Sequence, residues 1–185
     1  MTGYGRDPAD PAEHASALRA RLALRPDRPV PVLTRVLPSL GVTLRWADLA
    51  TDDGLTIRRD YAYTTCLNAR LRQDPARLRF TAAHEAGHIV LRHLEMEGEA
   101  NNGRYSLCAR REREANLFAS ALLMPADGLA DSGPPWDKRA LSQLRRRFGV
   151  SWEALLIRLD ELGLQNRESS LSLFDTDVSV PAASD

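Results

Sequence analysis

The spacing of apolar side chains changes several times along the chain, and each change marks an element. Residues 12–24 carry Ala15, Leu18, Leu22 and Ala23 at helical spacing, and Pro26, Pro29 and Pro31 end that stripe. Residues 32–40 predict a second short helical piece, broken near Pro38. From Gly41 to Trp46 apolar and polar residues alternate, which predicts a strand; Leu55 to Arg59 predicts another, and Tyr63 to Leu71 a third, closed by Gln73-Asp74-Pro75. If that third strand lies at a sheet edge, it can bind an extended substrate backbone by strand addition; otherwise it is an ordinary buried strand.

The period then returns to helical. Residues 81–94 place Ala83, Ala86, Val90 and Leu94 on one stripe, with Thr81 as the expected N-cap. GEANNG at 98–103 predicts a turn. Residues 110–124 predict a helix that Pro125 ends, followed by a Gly- and Pro-rich stretch from Asp127 to Pro135. Two more helices are expected at Lys138–Phe148 and Trp152–Leu162, split by Gly149-Val150-Ser151. Residues 1–11 read as a flexible lead-in, 12–165 as the folded domain, and 166–185 as a polar tail in which Leu171, Leu173 and Phe174 offer one further strand.

Composition narrows the class. A hydrophobic fraction of 43% in 185 residues suffices for one packed core. Lys+Arg and Asp+Glu both number 25, so no global field draws the chain onto nucleic acid or an anionic membrane. The N-terminal residues lack a basic-then-apolar leader pattern, and no apolar run approaches the ~18 residues a membrane span requires. Cys66 and Cys108 form no CxxC pair. These features together predict a cytoplasmic location.

The chemistry concentrates in His84-Glu85-Ala86-Gly87-His88. Histidines four apart on a helix lie on one face, one turn apart, and can bind a single cation. Glu85 points off that axis, within reach of a water rather than of the ion. Zinc lowers the pKa of its bound water to about 7, so an adjacent carboxylate can take the proton. The pentapeptide alone is equally compatible with an amphipathic helix bearing two partly exposed histidines. Gly87 costs a helix about 1 kcal/mol relative to alanine, which points to the close approach of another element. A catalytic zinc needs a third protein ligand. Glu112 and Glu114 are the candidates, on different faces of their helix. Glu112 shares its face with Ala115, Asn116 and Ala119, small enough for close packing, and is favoured; Glu114, beside Leu117 and Phe118, stays open. Asn116 is placed to hydrogen-bond a ligand imidazole. His93, five residues past His88, is expected on a different face, solvated or capping the helix.

Three segments in order, RFTAAHEAGHIVLRH, EREANLFASALLMP and FGVSWEALLIRLDELGL, make the chain resemble the ImmA/IrrE metallopeptidases across roughly residues 40–165. The family's usual HELGH reads HEAGH here, a loss of volume that leaves the ligands intact. The resemblance implies an α+β, zincin-like domain: a short, mostly antiparallel sheet packed on the HExxH helix, with additional C-terminal helices. It implies zinc held by His84, His88 and Glu112, with Glu85 as general base, although manganese or iron also suits a His/His/carboxylate set. It implies an endopeptidase that cleaves a helix-turn-helix repressor of the Xre type and so relieves repression under stress. The alternatives are a DNA-binding regulator using the C-terminal helix pair and a non-catalytic adaptor with structural zinc. Against DNA binding, WEALLIRLDELG carries three acids and a broad apolar face, unlike a helix that reads base edges.

Overall fold

The computed structural model describes residues 10–95, 109–130 and 137–164. Cys108, the expected turn at 98–103 and the expected strand near Leu171 lie outside the described residues. Among the described residues, seven α-helices and one small sheet make the architecture α+β.

Asp10 starts α1 (Pro11–Arg21) by accepting a hydrogen bond from the Ala12 amide, with Pro11 in the first turn, where a missing N–H costs nothing. Residues Val32–Val36 form a π-helical segment that runs directly into the single turn α2 (Leu37–Ser39). Pro38 was expected to break this piece; it sits instead in the first turn of α2, which tolerates it.

Strands β1 (Val42–Ala47), β2 (Gly54–Arg59) and β3 (Ala62–Asn68) form a sheet of order β1-β3-β2. β2 and β3 are an antiparallel hairpin, and β1 pairs with β3 in parallel. The sheet is therefore mixed: only the hairpin has the antiparallel geometry expected of it. β3 is the central strand, which corrects its reading as a possible edge; β2 holds an edge. β3 also ends sooner than expected. Asn68 accepts from the Arg70 amide and starts a 3-10 segment, Ala69–Gln73.

Helix α3 (Pro75–Val90) begins six residues before the expected start. Its N-cap is Asp74, whose carboxylate accepts from the Arg77 amide at 3.0 Å, and Pro75 follows. Thr81 is thus an interior residue. The Asp-Pro pair that seemed to close a strand opens a helix.

α3 packs most extensively against α4 (Ala109–Leu123). The contact is close because Gly87 has no side chain. A Cβ there would stand 3.0 Å from Phe118 Cδ1 and 3.3 Å from both Cα and O of Ala115. Ala115, Phe118, Ala119, Leu122 and Leu123 of α4 are fully buried.

The C-terminal end of α4 is held by two buried arginines. Arg19 of α1 donates to the Leu122 carbonyl at 2.6 Å, and Arg158 donates to the Met124 carbonyl at 3.1 Å. Cations there satisfy the orphan carbonyls and complement the negative end of the helix dipole. Pro125 ends α4, and a short helix the sequence did not suggest, α5 (Ala126–Ala130), follows.

The last two helices are α6 (Lys138–Phe148) and α7 (Trp152–Glu161), joined by a left-handed Gly149 and capped by Ser151. Leu155, Leu156 and Leu159 of α7 are buried with Leu141, Leu144 and Phe148 of α6 in the common core. The pair thus spends its apolar faces on packing.

The close α3–α4 contact gives a direct test. Gly87→Val adds a β-branched side chain against Phe118 and Ala115, and overpacking of this kind costs about 1–3 kcal/mol. Scanning calorimetry should show the thermal midpoint lowered by several degrees. An unchanged midpoint would contradict the close contact.

Candidate metal centre

His84 and His88 project from one face of α3, and Glu112 reaches them from the first turn of α4. The two Nε2 atoms lie 3.0 Å apart. Glu112 places Oε2 3.2 Å from Nε2 of His84 and Oε1 3.3 Å from Nε2 of His88. Glu114 does not join them; it turns to His93 and Arg110.

The donor set fits a divalent ion for three reasons. Four-coordinate zinc with ligand bonds of 2.0–2.1 Å separates its ligand atoms by roughly 3.3 Å, close to the spacings here. His84 Nδ1 lies 2.9 Å from Asn116 Oδ1, an acceptor, so Nδ1 carries the hydrogen and neutral His84 turns a bare lone pair on Nε2 toward its neighbours. Glu112 Oε1 is buried with no hydrogen-bond partner. A lone pair and an orphaned carboxylate oxygen converging in a part-buried site are stabilised by a cation.

Without the ion, the cluster is electrostatically uneven. Burial pushes the His88 imidazolium pKa down to about 3, helped by the neighbouring His84 charge. Burial also disfavours charge on His84, but its hydrogen bond to Glu112 and the nearby carboxylates outweigh this and raise its pKa. The hydrogen bond from His84 holds Glu112 below the usual carboxylate range.

Glu85 is 2% exposed. Burial raises its pKa, opposed by a hydrogen bond from Thr56. Thr56 Oγ1 donates to Glu85 Oε2 at 2.7 Å and lies 2.9 Å from Thr65 Oγ1. Thr56 and Thr65 are directly paired across β2 and β3. With Thr56 donating to Glu85, Thr65 must donate to Thr56, so two buried hydroxyls are aligned on one carboxylate. Gly54 completes this wall: a Cβ there would stand 2.8 Å from Thr81 Cγ2 and 2.9 Å from Glu85 Oε1. Glycine lets β2 lie against α3 beside Glu85.

These groups open into a cleft of about 510 Å³, whose walls include Gly54, Leu55, Phe80, His84, Glu85 and Glu112. Edge strand β2 therefore runs along the cleft.

Thr56, Thr65 and His93 were not legible as site residues. The threonines read as ordinary strand positions, and only the cross-strand register brings them to Glu85. His93 is not solvated, as expected, but 2% exposed. Its Nδ1 lies 3.0 Å from Nδ1 of His88, and its Nε2 lies 3.1 Å from Oε2 of Glu114. The end of α3 explains the reversal. Arg92 adopts a left-handed φ of +58°, the His93 amide donates to the His88 carbonyl, and the Arg92 amide donates to the Ile89 carbonyl. This is a Schellman turn, which folds the chain back over the last turn of the helix. Arginine at that position gave no sign of it.

Residues 38–160 match the peptidase family described as the IrrE N-terminal-like domain. The chain belongs to this family. It is also 32% identical over 176 residues to the radiation response metalloprotease IrrE of Deinococcus deserti. That match covers 84% of this chain and 58% of the relative, so the chain spans less than two thirds of that protein's length. Membership of a metalloprotease family implies a divalent metal. Among the described residues, no helix is long and apolar enough to cross a membrane.

The depressed pKa of His88 predicts how the metal-free protein responds to acid. The folded state keeps His88 neutral down to about pH 3, whereas the unfolded chain takes up that proton near 6.5. Below 6.5 the unfolded state binds more protons, so stability falls as pH falls toward 3. The raised His84 acts in a different window: its contribution is complete below 6.5 and is lost as pH rises through its folded value. Urea titrations of metal-free wild type and His88→Gln at pH 7 and pH 5 should differ. The wild type should lose up to about 1.4 kcal/mol more per pH unit below 6.5. Equal losses would show that His88 is not held neutral.

Proposed function

We propose that this protein is a metal-dependent endopeptidase of the stress response, with His84, His88 and Glu112 as ligands of one zinc ion and Glu85 as general base. The observation that carries the proposal is the convergence of those three side chains beside a buried carboxylate in an open cleft. Membership of the peptidase family and likeness to a radiation response metalloprotease support it. Zinc suits two imidazoles and a carboxylate; manganese or iron fits the same donors.

A bound ion supplies Lewis acidity to the scissile carbonyl and to water. The chain's own residues do the rest. β2 offers its open edge to an extended substrate segment, whose backbone hydrogen bonds align it along the cleft. Thr56 and Thr65 hold the Glu85 carboxylate in one orientation. Glu85 accepts the proton of the attacking water as the C–O bond forms, and its raised pKa favours holding that proton. It then delivers the proton to the amine as the C–N bond breaks.

The substrate we infer is a helix-turn-helix repressor of the Xre type, as in the family this chain resembles, cleaved in the cytoplasm to relieve repression.

Glu85→Gln preserves shape and ligands but removes the base. The variant should retain one zinc per chain by elemental analysis and lose repressor cleavage by at least about 100-fold. Glu112→Ala should lose zinc and cleavage together. Repressor inactivation that survives Glu85→Gln would favour a non-proteolytic adaptor. Specific operator binding by the purified chain would favour direct regulation.

A further inference from the structure

We propose that His93 and Glu114 are positioning residues that fix the tautomer of His88 and so present its Nε2 lone pair to the metal. The inference rests on reading His84, His88 and Glu112 as ligands.

The assignment follows from the outer end of the chain of contacts inward. Glu114 Oε1 accepts from Arg110 Nε at 2.8 Å, so Glu114 is an ionised acceptor. Its other oxygen lies 3.1 Å from Nε2 of His93, and a carboxylate can only accept there, so His93 carries its hydrogen on Nε2. Neutral His93 then has a bare Nδ1. That atom lies 3.0 Å from Nδ1 of His88, which must therefore be the donor. With its hydrogen on Nδ1, His88 has a lone pair on Nε2, which faces Nε2 of His84 and the carboxylate of Glu112. Each step leaves one choice, and none requires the ion.

The two ligand histidines are thus oriented from the same helix by different means. Asn116 reaches His84 directly, while Glu114, two residues earlier, reaches His88 through His93. The relay is buried at its centre: His88 is fully buried and His93 is 2% exposed. An imidazole donating to such a chain is held in one ring orientation and made more basic, and loss of a partner of this kind typically weakens metal binding 10- to 100-fold.

The test uses the full chain and cobalt(II) alone, titrated against a chelator and followed by its visible absorption. His93→Phe removes the acceptor while filling the space, and should weaken cobalt binding 10- to 100-fold. His93→Gln, whose amide can both accept and donate, should recover part of the loss. Glu114→Gln, a partly exposed isostere, should give a smaller loss with unchanged folding by circular dichroism. In zinc-loaded wild type, imidazole ¹⁵N shifts should show His93 as the Nε2–H tautomer and His88 with its hydrogen on Nδ1. Absence of cobalt binding by wild type would sink the metal-site reading itself. If wild type binds cobalt but folded His93→Phe and Glu114→Gln bind it equally tightly, or if His93 is the Nδ1–H tautomer, the relay is overturned. Should His93→Phe not fold, Glu114→Gln and the tautomer measurement decide.

Discussion

The close approach of α3 to α4 at Gly87 is the constraint on which the site depends. Glu112 belongs to a helix more than twenty residues away in sequence, and its carboxylate must come within about 3.3 Å of two imidazoles. That requires two helix backbones nearly in contact, and Gly87 against Ala115 is where they touch. The helix-propensity cost of glycine is about 1 kcal/mol. Burial of Phe118 against Gly87 offsets it, at roughly 1.5–3 kcal/mol for a large side chain. The same approach brings Asn116 to His84 and Glu114 to His93, so one packing decision sets both the cluster and its supports.

The site is stiff because it is over-determined. His84 is held at its Nδ1 by Asn116 of α4, His88 at its Nδ1 by His93, which Glu114 of α4 meets in turn, and Glu85 is held from the sheet by paired threonines. Two arginines from separate helices anchor the far end of α4, so its axis cannot easily slide or rotate. Rotation matters most, because Glu112 and Glu114 are two residues, about 200°, apart, so roughly a half-turn of the helix would exchange the faces that carry them. Burial of charge is managed by division of labour. His88 is neutral, Glu112 is ionised, and burial holds the pKa of Glu85 above its usual range.

Much of this was legible in the chain. Helices α1, α4, α6 and α7 and all three strands fall near their expected bounds, because period, proline and glycine act locally. Errors arose where one local signal admits two uses. Asp74-Pro75 serves equally as the end of a strand and as the cap of a helix, and only the continuing burial of α3 decides between them. β3 showed alternation but nothing to say how many neighbours it has; its central place follows from the parallel pairing with β1, made across an intervening hairpin strand.

The HExxH spacing by itself determined that His84 and His88 share a face and that Glu85 stands beside them, since a helix fixes relative directions over four residues. The following helix offered two acids, Glu112 and Glu114, as the third partner, and the small residues beside Glu112 favoured it. Only the tertiary structure decided the rest. Glu112 faces the histidines because α4 is held at one rotation. Thr56 meets Glu85 because of strand register. His93 returns to His88 because Arg92 takes a left-handed turn that the packed chain supports and its side chain does not announce. Local geometry is written in residue spacing, whereas helix rotation, strand order and a strained turn depend on contacts between segments distant in sequence.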